Sequence, residues 1–516
     1  MKVKSICIVG GGSSGWMTAA ALSVCLPDLD VTLVESKRIG NLGVGESTLG
    51  HINNFLDILK MNDEDWMKEC DATYKVSIQF DDFYKKGTTY QYPFGDMDMV
   101  DWEWHLMNAI DEENMPPETY SRYVNPTTYL AEYNKLERDA EDKLAGFDYK
   151  YHTAYHMDAD KFGQWLKNNK CQSVKHIKDD IVDCEYDSEG GISKLIGEDG
   201  EYVADLYIDC TGFKSLLLEG FMGQEFISYN DKLLNDSAIA TRIPYKDKEE
   251  QMRNTTRCTA IENGWVWSIP LWSRIGTGYA YSSKFVDDDT AKQEFYRHLR
   301  DNGFIDDGEE PETFKINIRH GKRKKAWEKN VIGIGLAYGF LEPLESTGLL
   351  TTHENLLVLI DLLEKSNCNL RSFERQAFNR NVDYDIDGWM EFIFLHYNVT
   401  SREDTAYWRY VSELEFYEHE KLVDKTVLSP RQYIECIHAY SRKERTDFLG
   451  GCPYIMNGSN RTVMGKSAAE AFRDKHRIDL RIFYDNYKKR DKKLRQIVAE
   501  MRTHYQYLKD TIYAEV

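Results

Sequence analysis

Three glycines, Gly10, Gly12 and Gly15, set between an apolar run and a helix-forming stretch, constrain this chain more than any other feature. Val3 to Val9 reads as a buried parallel strand and Trp16 to Cys25 as the helix that follows. A second strand, Val31-Thr-Leu-Val34, ends at Glu35. The result is a βαβ unit. At this spacing Gly10 permits the tight turn, Gly12 lets the backbone approach a pyrophosphate, and Gly15 allows close helix packing. Ser13 and Ser14 lie at the helix N-terminus, whose N–H groups are oriented toward an anion. Glu35, twenty residues beyond Gly15, is placed to accept a ribose hydroxyl.

At 516 residues the chain is too long for one simple core and predicts two or three closely joined modules. Its 65 basic and 86 acidic residues leave a net charge of −21, a field that repels phosphate backbones and anionic lipid. Nucleic acid and membrane are therefore excluded as expected partners. The run Lys488-Lys-Arg490-Asp-Lys492-Lys493 reads as the solvated face of a helix. Ten cysteines run from Cys7 to Cys452 without a Cys-x-x-Cys, and thirteen histidines form no His-Glu-x-x-His, so no metal site is expected. The chain opens directly on a strand and has no apolar run long enough to span a bilayer, which predicts a cytoplasmic protein.

From about Gln79 to Tyr151 the composition turns aromatic, acidic and Met-rich with little periodicity. This predicts an inserted, site-covering segment at about 80–160 rather than part of a sheet. Strands resume at Ser173 to Tyr186, Ile192 to Ile196, Leu206 to Asp209 and Val331 to Ile334. Beyond about Ser366 the pattern is mostly helical. The expected division is a module over 1–365 and a mainly helical, substrate-side module over 366–516. The first module could hold FAD or NAD. Ile208-Asp-Cys-Thr-Gly212 and the late turn Gly335-Leu-Ala-Tyr-Gly339 are what FAD proteins of the glutathione-reductase type carry. No second nicotinamide fingerprint is present. The expected fold is therefore α/β, a Rossmann-like FAD-binding domain interwoven with a mostly helical substrate module.

Three further features carry chemistry. Trp265 and Trp267, two residues apart on one strand, stand side by side as an apolar plate, and Pro270 is expected to break the ladder and turn the chain. A lone Trp-x-Trp is usually core. Lys75 sits in the strand-like run Thr73 to Phe80, where a single cation is uncomfortable, although a surface lysine is the default reading of the residue alone. Glu345 lies in Phe340-Leu-Glu-Pro-Leu-Glu345-Ser-Thr-Gly348, where an N-cap or ion-pair role is the plain alternative.

Together with Gly43-Val-Gly45-Glu-Ser-Thr48 and His396-Tyr-Asn-Val-Thr-Ser-Arg402-Glu-Asp-Thr405-Ala-Tyr-Trp408, these motifs resemble the flavin-dependent halogenases of the tryptophan-halogenase type. The resemblance covers about four fifths of the chain. It implies an enzyme in which FADH2, supplied by a separate flavin reductase that docks transiently or acts only by diffusion, and oxygen oxidise a halide to hypohalous acid. The oxidant then travels a tunnel to a small aromatic substrate. It implies FAD contacts from Gly10, Gly12, Ser13, Ser14, Gly15, Glu35, Arg38, Gly43, Val44, Gly45, Ile181 and Leu336. Halide would be bound by the amides of Thr347 and Gly348, and the tunnel wall formed by Trp265, Trp267, Ile269 and Pro270. Lys75 and Glu345 would be catalytic. Lys75 would either hydrogen-bond hypohalous acid or, deprotonated, form a haloamine. Glu345 would orient the oxidant or take the proton from the arene. A homo-oligomer is expected.

The resemblance weakens beyond about residue 420. Groups that clamp an indole amino acid cannot be placed on Ile434 to Asn460, so a phenol, an indole or another electron-rich arene is expected rather than free tryptophan. Trp102, Trp104, His105, Tyr454 and Met456 are candidate pocket residues, with plain packing as the alternative for each. The rival enzymatic reading is an FAD-dependent aromatic hydroxylase that reduces its own flavin. A degenerate, non-catalytic flavoprotein would be expected to lack Lys75 or Glu345, and both are present.

Overall fold

The computed structural model describes residues 2–38, 43, 45–414, 451–460 and 465–515. The apolar runs flanking the glycine loop become the strands Ser5–Val9 and Asp30–Glu35, joined by the helix Ser13–Cys25. They lie at the centre of a six-stranded sheet in the order 327–328, 331–333, 206–209, 5–9, 30–35, 175–178. All its pairings are parallel except that of the edge strand Trp327–Glu328. Ile6, Ile8 and Leu33 are buried on the face that packs with the helix Ser13–Cys25, and Cys7, Val9 and Val34 on the other face with the strands Ile181–Tyr186 and Ile192–Gly197, so the apolar runs are unbroken because both faces are covered.

A second, seven-stranded sheet runs in the order 314–317, 237–243, 275–281, 264–270, 255–260, 77–81, 89–93. It is antiparallel except where Thr255–Ala260 pairs with Ser77–Asp81. A small third sheet pairs Ala154–Met157 with both Glu46–Ser47 and Thr73–Lys75. The chain passes between the sheets several times. Past Ser366 the described residues form helices, the longest being Ser372–Asn398 and Leu480–Ala499.

Three expectations are corrected. The segment beginning near Gln79 is not wholly a covering insertion, because Ser77–Asp81 and Thr89–Pro93 form a hairpin at the edge of the seven-stranded sheet. Helices begin only at Trp102. Burial of both faces (Ser77, Ile78, Phe80 and Asp81 are all enclosed) erased the alternation that reveals a half-exposed strand. The run Ser173 to Tyr186 divides into Lys175–Lys178 and Ile181–Tyr186, which join different sheets. Pro270 does not break the ladder. It pairs with Ile275 as the last strand residue, and its carbonyl accepts from Thr73 Oγ1 at 2.6 Å. Proline lacks only the donor, so it is tolerated at a strand end.

Candidate active site

At the nucleotide end, Gly10 has φ +117°, a left-handed-side conformation that favours glycine, and its N–H donates to the Val34 carbonyl at 2.9 Å. A β-carbon on Gly15 would overlap the Gly10 carbonyl oxygen, so the helix starts tight against the turn. Gly12 is the N-cap of the helix Ser13–Cys25. That first turn has neither a side-chain cap nor an acidic residue. Its amides are therefore left for an external anion, and an FAD diphosphate fits them. The late turn Gly335–Ala337, which carries Leu336, reaches the same place: a β-carbon on Gly335 would overlap Ser14 Oγ, and Ser14 Oγ lies 3.1 Å from Thr352 Oγ1.

The remaining expected cofactor residues are distributed less tightly. Glu35 ends its strand as predicted, but its carboxylate is held by His176 Nε2 at 2.7 Å. Arg38 is exposed and donates to both oxygens of Glu198 at 2.7 and 2.8 Å. The Gly43 carbonyl accepts from Arg242, and Gly45 packs on Ile269 and Leu271. Ile181 is buried at the start of its strand, and Val44 lies outside the described residues.

The lysine end is built from the small third sheet and the turn before the helix Thr347–Lys365. Lys75 is fully buried. Its Nζ donates to Ser47 Oγ and the Thr48 carbonyl, each at 2.9 Å, and to Ser346 Oγ at 2.8 Å. The Phe94 ring lies 5.2 Å from the nitrogen. Burial pushes the amine from 10.5 down to about 7, against the opposing pull of Glu345. Ser346 reaches the lysine because its backbone is left-handed (φ 58°), which costs a non-glycine residue about 1–2 kcal/mol. Its neighbours on either side supply the rest of the site. Glu345 is buried on the 3-10 turn Pro343–Glu345, and Thr347 and Gly348 open the helix.

That helix also begins with no side-chain cap and no acidic residue, so the expected halide amides are available to an anion. Glu46 stands opposite: a β-carbon on Gly348 would lie 3.2 Å from its Oε2, and burial pushes its carboxyl up to about 7. Ser47, Ser346, Glu46 and His396 were not singled out from sequence, although each lies inside a motif that was. Single hydroxyls and carboxylates carry no distinguishing signal until a partner is known.

Trp265 and Trp267 stand side by side, with ring centroids 5.9 Å apart. Trp265 donates its indole N–H to Glu342 Oε2 at 3.0 Å, and Asn235 Nδ2 donates to the same oxygen at 2.9 Å. Glu342 is thus structural, tying the tryptophan strand to the turn that carries Glu345. Further along, Ile269 meets Gly45. The strand Gly264–Pro270 therefore spans from the Gly45 loop to the Glu345 turn. Removing the shared acceptor in Glu342→Ala leaves two buried donors unmatched, with an expected loss of about 3 kcal/mol in denaturant unfolding. An unchanged midpoint contradicts this role.

Beyond Phe94 an aromatic series leads away from Lys75. Tyr92 packs on Phe94 and stacks on Tyr454 at 5.5 Å, Tyr454 meets Tyr120, and Tyr120 meets Trp104 at 4.9 Å. Trp104 and Tyr454 of the expected pocket residues belong to it, and His105 packs on Trp104. Met456 is buried on the helix Cys452–Gly458. Trp102 is turned outward, 43% exposed, against Phe483. Of the stretch Ile434 to Asn460, only 451–460 is described.

The tryptophan halogenase family matches residues 5–435. Tryptophan 6-halogenase SttH of Streptomyces toxytricini is 35% identical over 433 residues, covering 78% of this chain and 80% of that protein. The 7-chloro-L-tryptophan 6-halogenase KtzR of Kutzneria sp. (strain 744) is 34% identical over 424 residues, again covering 78% and 80%. Among solved structures, VirX1 in its apo form aligns with a TM-score of 0.91 at 40% identity, covering 100% of both chains. Tar14, a tryptophan C-6 flavin-dependent halogenase (chlorinase) from taromycin biosynthesis, aligns with a TM-score of 0.82 at 30% identity over 99% and 100% of the two chains.

Proposed function

The chain belongs to the tryptophan halogenase family, and on that premise we propose that it uses FADH2, oxygen and a halide to halogenate an electron-rich aromatic substrate at Lys75. The observation that carries this reading is the buried Lys75 amine, held by Ser47, Thr48 and Ser346 next to Glu345. A structural lysine has no reason to occupy such a place, because desolvation penalises its charge.

The glycine loop and the turn at Leu336 would hold the flavin, which would supply the two-electron oxygen chemistry needed to oxidise a halide. The open first turn at Thr347 and Gly348 offers main-chain dipoles to the halide. Lys75 holds the oxidant, by hydrogen bond or as a haloamine, with three acceptors fixing its nitrogen. Glu345 takes the proton released by the ring. The tryptophan plate keeps the arene from the flavin. Reduced flavin comes from a separate reductase. Relatives are named for tryptophan, so tryptophan heads the substrate panel, followed by indoles and phenols.

The test supplies purified protein with FAD, a generic flavin reductase, NADH and each halide in turn. Mass spectrometry should reveal the mass gain of hydrogen-to-halogen exchange on at least one arene, with the paired isotope pattern where the halogen is chlorine or bromine. Hydroxylated product formed without halide, or reduction of bound flavin by NADPH alone, overturns the proposal.

A further inference from the structure

The His396 imidazole is fully buried at the end of the long helix Ser372–Asn398, and its Nε2 lies 2.7 Å from Glu345 Oε1. Aromatic rings enclose it: Phe80 at 4.9 Å, Phe392 at 5.2 Å and Phe83 at 6.4 Å between centroids. Its other nitrogen, Nδ1, lies 2.9 Å from the Phe392 carbonyl oxygen. A carbonyl only accepts, so Nδ1 carries a hydrogen. Nε2 then faces the carboxylate either with a lone pair or with a second proton. Two bare lone pairs at that separation repel, so the contact requires a proton between Nε2 and Glu345.

The contact is also incomplete. Oε1 lies off the ring's N–H axis, and neither Glu345 oxygen has a linear hydrogen bond among the described residues. A fully buried carboxylate without a donor is costly and calls for an explanation. Around it stand Lys75 on the third sheet, Cys258 and Tyr90 on the seven-stranded sheet, and Cys452 on the helix Cys452–Gly458. Of these, Lys75 is the only cation, and it is already saturated by Ser47, Thr48 and Ser346.

We propose that His396 is the positioning partner of Glu345. This rests on the halogenation reading above and deepens it. When the halogen has bonded to the ring carbon, that carbon's C–H bond breaks and its electron pair restores the aromatic ring. The proton goes to Glu345, and the single positive charge of the ring passes with it to the Glu345–His396 pair, whose Nε2 already carries its proton. Before that step the carboxylate–imidazolium pair is neutral, which avoids leaving a lone charge in a dry site. It also keeps Glu345 available as an acceptor beside a lysine that must not be locked into a salt bridge.

The test compares wild type, His396→Phe and His396→Gln in single-turnover halogenation of an arene deuterated at the reacting carbon, with FAD binding and thermal unfolding measured alongside. His396→Phe should slow product formation by about 10²-fold. It should also expose a primary deuterium isotope effect absent from wild type, because loss of the ring proton becomes rate-limiting. His396→Gln, which keeps a polar group against Glu345, should fall between and serves if the phenylalanine variant does not fold. Independently, ¹⁵N imidazole spectra of the flavin-free protein should show the His396 Nε2 signal move from a protonated to an unprotonated position in Glu345→Gln. Wild-type rates in His396→Phe overturn the proposal. So does slowing without an isotope effect, or a His396 signal unmoved in Glu345→Gln. A wild-type enzyme that halogenates nothing overturns the functional reading instead.

Discussion

Replacing Lys75 with methionine should abolish halogenation and make the protein harder to unfold. Methionine matches the lysine stem in volume but needs no solvation, and the hydroxyls left behind keep partners. Ser346 Oγ donates to Ser47 Oγ at 3.0 Å, and Ser47 Oγ lies 2.7 Å from Thr256 Oγ1. Replacing a buried ionisable group by an apolar isostere is commonly stabilising, here by roughly 1–3 kcal/mol. The gain should depend on pH with a definite sign. The folded amine gives up its proton near 7, whereas the unfolded chain keeps it to 10.5. Between those values the unfolded state binds more protons, so wild-type stability rises with pH. Lys75→Met lacks that dependence. Its advantage should be full below about pH 7 and shrink toward about pH 10, as read from guanidinium unfolding at the two ends. Product, measured by mass spectrometry, should fall by about 10³-fold while reduced flavin is still consumed by oxygen. Undiminished product removes Lys75 from the chemistry, and a loss of stability at neutral pH removes the argument about its burial.

Gly15→Ala should be the most damaging single methyl group in the nucleotide module. The added carbon would overlap the Gly10 carbonyl oxygen, which belongs to backbone already pinned to Val34. Helix and turn must separate, at an expected cost of roughly 2–4 kcal/mol. FAD affinity should fall at least about tenfold, since the amides that face the diphosphate move with the helix. Gly388→Ala is the internal control. Gly388 is an exposed position within Ser372–Asn398 with nothing within 4 Å of a β-carbon, so alanine there should stabilise by about 1 kcal/mol through helix propensity alone. Thermal unfolding and flavin titration of the two variants compare the effects directly. Equal effects would show that helix propensity, not the close approach, governs Gly15.

The local structure around the candidate site is legible in the sequence where chemistry imposes a local pattern. The glycine loop, Glu35 and the first two strands are consecutive pieces of one βαβ unit, so spacing alone revealed them. Lys75, by default a surface lysine in such a run, was marked out by the family resemblance, and it proved to be enclosed. Glu345, Thr347 and Gly348 lie within one short motif and remain together in space. The hairpin at Ser77–Asp81 and Thr89–Pro93 was missed because both its faces are covered. Arg38 and Glu35 illustrate a different limit. A charged side chain goes to its best partner, and Glu198 and His176 come from remote strands and loops.

Sequence by itself determined the βαβ unit around the glycine loop and the side-by-side tryptophan pair, since each is written in neighbouring residues whose spacing follows backbone geometry. Only the tertiary structure decided that Ser47 and Ser346, about three hundred positions apart, grip one lysine, and that His396 closes on Glu345. Such contacts are set by how sheets and helices pack in three dimensions. No periodicity along the chain encodes which hydroxyl or imidazole will meet which charge once water is excluded.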